Sequence, residues 1–90
     1  LLLEVPQPNP LAPSAAIGYT LPRSGRVRLA VYDVTGRERA ALVDAAQAAG
    51  PQVVTWDGRG ARGTPLPAGV YFVRLAFEGR VETQKLVFAP

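Results

Sequence analysis

Apolar and polar residues alternate with a period of two along much of this chain. In "SAAIGYTL" the residues Ile17, Tyr19 and Leu21 share one face. In "RVRLAVYDV" Val27, Leu29 and Val31 do the same, with Asp33 closing the row. Such alternation is the mark of a half-buried strand. "PRSG" and Thr35-Gly36 are turn signals between these runs, and residues 37–43 read as a short returning strand. "QVVTWDG" reads as a strand ending at an Asp-Gly turn. "VYFVRLAF" and "RVETQKLVFA" flank Glu78-Gly79, the spacing of a two-residue hairpin that needs positive φ.

Two stretches break the pattern. "RERAALVDAAQAAG" is helical by propensity, rich in alanine and leucine with Gly50 as a stop, yet it lies among strands. The reading adopted is a strand over Arg39–Val43 and a loop or single helical turn over Asp44–Gly50. Residues 1–13 carry prolines at 6, 8, 10 and 13. Each proline fixes φ and removes a donor, so the segment is expected to be an extended linker, with Leu1 to Val5 pairing at a sheet edge. Residues 14–90 then form the folded unit. About seven short strands and turn signals every 8–12 residues predict an all-β fold, an antiparallel β-sandwich.

Composition narrows the function classes. Ninety residues make one small domain, expected to bury roughly 60–65% of its unfolded surface. A hydrophobic content of 48% against 19% charged residues suits a globular chain. No run approaches the roughly 18 apolar residues of a transmembrane segment, and "LLLEV" is too short for a signal-peptide core. The chain has no cysteine, no histidine and no methionine. Thiolate chemistry is thereby excluded, and the commonest general base and transition-metal ligand are missing. The lack of a methionine leads us to expect a module of a longer protein. The net charge is +3, and nine of the ten basic residues are arginine. They are scattered along the sequence, which reads as a solvated basic face, so no nucleic-acid partner is expected.

The stretch "TWDGRGARGTPLPAGVYFVRL" carries the candidate chemistry. Its glycines at 58, 60 and 63 have the spacing of a dinucleotide fingerprint. That fingerprint needs a helix N-terminus behind it, and Thr64-Pro65-Leu66-Pro67 followed by a strand cannot supply one. Asp57 is the only acid between Asp44 and Glu78, too few for calcium, and is expected to bond nearby backbone amides instead. Trp56 could floor a sugar site, but the other aromatics lie inside strand patterns, where side-chain packing is the default. Ser14 and Ser24 lack a base, and the seven carboxylates show no informative spacing. No catalytic residue, cofactor or metal is therefore expected.

Taken in order, "PNP" at Pro8–Pro10, "PSAAIGYTLP", "VRLAVYDVTGRE", "LVDAAQAAGPQVVTWDGRG", "GVYFVRL" and "KLVF" resemble the C-terminal sorting domains of the type IX secretion pathway. The closely similar Ig-like domain of flagellar hook-capping proteins shares the "WDG…G…AGVYFVRL" half. The resemblance spans Val5 to Phe88. It implies a seven-stranded Ig-like sandwich at the end of a larger secreted protein, acting as an outer-membrane export signal and cell-surface attachment domain. Its implied partners are the translocon, a sortase-like surface peptidase and an upstream passenger domain, and its implied location is secreted or on the cell surface. The recognition candidates carried over are Pro8, Asn9, Pro10, Gly69, Val70, Tyr71, Lys85, Leu86 and Val87. Of these, Gly69 could instead supply a special backbone conformation. Tyr71 could anchor a loop through its hydroxyl, as a tyrosine corner does. The alternative readings are a structural assembly module of the hook-capping type and a carbohydrate-binding module.

Overall fold

The computed structural model describes residues 1–5 and 14–89. Seven strands are present among the described residues: β1 (Leu2–Glu4), β2 (Ala15–Leu21), β3 (Gly25–Asp33), β4 (Glu38–Gln47), β5 (Gly50–Trp56), β6 (Gly69–Phe77) and β7 (Arg80–Phe88). They form two antiparallel sheets, a three-stranded one in the order β1-β2-β5 and a four-stranded one in the order β4-β3-β6-β7. The architecture is an Ig-like β-sandwich.

The period-two rows become the inner faces of the two sheets. Ile17, Tyr19 and Leu21 of β2 are buried, facing Val27, Leu29 and Val31 of β3 and Tyr71, Val73, Leu75 and Phe77 of β6. Each fully buried Val or Leu contributes about 1.5–3 kcal/mol through removal of its apolar surface from water. Leu3 joins the same cluster, so β1 both pairs with β2 and adds a core side chain. At the far end of the chain, Glu78 and Gly79 adopt φ of 48° and 78° and close the β6–β7 hairpin in two residues, as expected.

The alanine-rich segment departs from its expected form. Residues 44–47 are not a loop or a helical turn but the second half of β4, with Ala45 opposite Val27, Ala46 opposite Arg26 and Gln47 opposite Gly25. A seven-residue helix gains little on its own, because nucleation costs more than so few hydrogen bonds return. The free edge of β3, by contrast, offers each of residues 44–47 a ladder partner. Side chains reinforce the choice. Arg26 donates to the Asp44 carboxylate at 2.8 Å, and the Tyr19 hydroxyl reaches across the sandwich to donate to Gln47. The ladder slips twice, leaving Leu42 and Arg39 without counterparts on β3. Two bulges therefore bend this edge strand.

Candidate functional site

The fold positions its most elaborate local structure at the end of the sandwich where β5 passes to β6. β5 ends at Trp56, whose side chain is buried against Tyr71 and Phe88 with ring centroids 5.5 and 5.1 Å away. The indole N–H donates to the Arg59 carbonyl at 3.0 Å. Asp57 accepts the Arg59 amide at 3.1 Å, the backbone-bonding turn role expected of it. Gly58 follows with φ 77°, and a Cβ built there would lie 2.0 Å from the Phe88 ring. Only glycine meets both the left-handed backbone and the close approach of that ring.

Beyond Gly58 the loop is bonded to itself. Gly60 N–H donates to Thr64 O at 2.8 Å, Gly63 N–H to Gly60 O at 2.9 Å, and Leu66 N–H to Gly58 O at 2.9 Å. The Arg59 guanidinium donates to Gly63 O at 2.8 Å. A phosphate cradle needs free amides pointing at the anion, and here the amides of Gly60, Gly63 and Leu66 are spent on carbonyls. Ala61 N–H crosses to the Arg39 carbonyl of β4 at 3.0 Å, tying the loop to the edge of the larger sheet. The buried Tyr71 completes the anchor: its hydroxyl donates to Pro67 O at 2.6 Å, four residues upstream, as in a tyrosine corner. Burial pushes the Tyr71 phenol pKa up, which keeps it a neutral donor. Trp56 is 1% exposed, so it offers no face for a sugar to stack on.

The recognition candidates separate into three groups. Pro8, Asn9 and Pro10 lie outside the described residues. Tyr71 and Leu86 are cross-strand neighbours pointing into the core. Val70 and Val87 are likewise neighbours but face outward, and Lys85 lies opposite Phe72 on that same outer face. Gly69 opens β6 with φ 155°. Thus "GVY" and "KLVF" are period-two strand motifs whose inward members are Tyr71, Leu86 and Phe88.

Two features escaped sequence reasoning. Asp33 organises the β3–β4 turn. Its carboxylate accepts the Thr35 amide at 2.9 Å and hydroxyl at 2.5 Å, the Arg37 amide at 3.2 Å and the Arg39 guanidinium at 3.2 Å. The Thr35 hydroxyl bond chiefly, with the other donors, lowers its pKa from 3.8 to about 2. The second feature is a groove of about 480 Å³ between this turn and the 57–68 loop, bordered by Arg37, Arg39 and Arg62. Arg62 is distant in sequence from Arg37 and Arg39, and the Ala61–Arg39 bond brings their segments together. Among the described residues, no cluster of three or more acidic side chains could hold a metal ion.

An antiparallel sandwich with a bonded Trp-Asp-Gly loop and a tyrosine anchor defines the class as an Ig-like module. The FlgD Ig-like domain matches residues 12–79, and the chain belongs to that family. The crystal structure of FlgD from P. aeruginosa superposes with a TM-score of 0.62 at 28% identity, covering 80% of this chain and 59% of that one. The chain therefore spans under two thirds of the length of that FlgD chain. No curated protein matches the sequence.

These findings correct the sorting-signal reading. The family shown is the hook-capping Ig-like one, and nothing in the comparisons supports a type IX sorting domain. The physical reason lies in the motifs shared by the two families. "WDG" and "GVY", the half common to both, build the aromatic end of the sandwich, while "KLVF", which lies beyond the matched residues 12–79, supplies the core residues Leu86 and Phe88. Motifs that encode side-chain packing mark the fold and do not discriminate between uses of it.

Proposed function

We propose that this chain is a non-catalytic structural module of the hook-capping type, working inside a larger protein that assembles at or beyond the cell surface. The observation that carries this reading is the match of the FlgD Ig-like domain over residues 12–79. The character of the surface supports it. The two sheets close over an apolar core, and the outside carries bonded turns, exposed valines such as Val53 and Val81, and ion pairs such as Arg28–Glu38, held at 2.5 and 3.0 Å. Such a body serves as a rigid spacer or contact block in an assembly.

The reading is tested in the host organism by deleting the segment in frame from the gene that encodes it. Hooks are then counted by electron microscopy and swimming is scored. Loss of hooks with normal levels of the shortened protein supports the proposal. Hooks of normal number and length would sink it.

A further inference from the structure

Three of the nine arginines come together at the end of the sandwich that carries the β3–β4 turn. Arg37, Arg39 and Arg62 border one groove, together with Glu38 and the backbone of Gly60 and Ala61. The charges there are not balanced. Glu38 is held by Arg28 in a two-pronged pair, which lowers its pKa, and Asp33 is held by Arg39 at 3.2 Å. Neither Arg37 nor Arg62 makes an ion pair among the described residues, and both are exposed. Two surplus guanidiniums therefore flank a concave strip.

The strip is held open by backbone bonds. Ala61 N–H to Arg39 O fixes the loop to the strand, and Asp33 N–H to Arg37 O at 3.0 Å closes the turn that presents Arg37. A guanidinium is a planar fork that matches a carboxylate with two parallel bonds and sheds water more readily than an ammonium. From this charge complementarity we infer that the groove docks an acidic protein segment, its carboxylates pairing with Arg37 and Arg62. The inference rests on the assembly-module reading and names the chemistry of one contact that such a module would make.

A nucleic acid fits the site less well. Single strands are held by aromatic platforms beside the cationic track, and no aromatic side chain among the described residues lines the groove.

The test uses the 90-residue chain and a fluorescein-labelled oligoglutamate peptide, followed by anisotropy at low salt. Binding is expected, together with a loss of about fivefold in affinity for Arg37→Gln/Arg62→Gln, the scale of two exposed charge pairs. The control Arg74→Gln/Arg80→Gln removes the same charge elsewhere and is expected to leave affinity unchanged. Equal weakening by both pairs would reduce the effect to net charge and overturn the proposal. So would the absence of binding. Single-stranded DNA that bound as tightly through the same two arginines would also overturn it, in favour of a general polyanion surface. Should the groove variant fail to fold, amide shifts in the unmodified chain decide the matter: they must centre on residues 37–39 and 60–64. Peptide binding without any effect of deletion on hooks would retire the module reading and leave the groove standing. The reverse outcome would retire only the groove.

Discussion

The loop over residues 57–68 and the second half of β4 both carry compositions that point away from what they form, and for opposite reasons. The loop is rich in glycine and proline, yet its amides and carbonyls pair with one another and with Trp56, Tyr71 and Arg39. Most of its bonds are local, written in the residues themselves, with the Ala61–Arg39 bond the link to a distant strand. Residues 44–47 are rich in alanine, a helix former, yet they extend because β3 lies beside them with a free edge. Their order is tertiary. The first region should therefore be sensitive to single atoms, and the second to strand propensity.

The largest effect is expected from Trp56→Ala. Removing the aromatic plug and its indole donor should cost about 4 kcal/mol, in the range for emptying a buried tryptophan site, measured by urea unfolding. A loss below about 1 kcal/mol would mean that the loop does not depend on its plug. Gly58→Ala comes next. Its methyl group would meet the Phe88 ring and its φ is positive, so a loss of about 2–3 kcal/mol follows from overpacking and backbone strain.

Acid should act on the turn rather than on either region. The native pKa of Asp33 is about 2 against 3.8 for an unperturbed carboxylate, so folding lowers it. Its contribution to stability is present in full above pH 3.8 and is lost as pH falls toward 2. Asp33→Asn should flatten the stability profile in that interval, as read from thermal melts between pH 5 and pH 2. The smallest change is expected from Ala46→Val, which exchanges a helix former for a strand former at an exposed ladder position. A gain of about 0.5 kcal/mol is expected. A loss of that size would return residues 44–47 to helical character.

Much of the sandwich was legible from alternation alone. Ile17, Tyr19 and Leu21, like Val27, Leu29 and Val31, fall on the faces that their period assigns, and the Glu78-Gly79 hairpin lies where positive φ was required. What alternation could not show is anything that depends on a neighbour distant in sequence. The extension of β4 needed β3, and the gathering of Arg37, Arg39 and Arg62 needed the Ala61–Arg39 bond. Choosing between two families was harder still. The landmarks that carried the resemblance, among them Trp56, Gly58, Tyr71 and Phe88, hold one end of the fold together, and any user of the fold has reason to keep them.

The two bulges in β4 have a bearing on how such modules live side by side. A flat outer strand invites a stranger's strand to zip onto it, and crowded copies of one domain meet that hazard constantly. β4 is kinked at Arg39 and Leu42, and the Ala61 amide already occupies the Arg39 carbonyl. That edge is a poor template for fibrils.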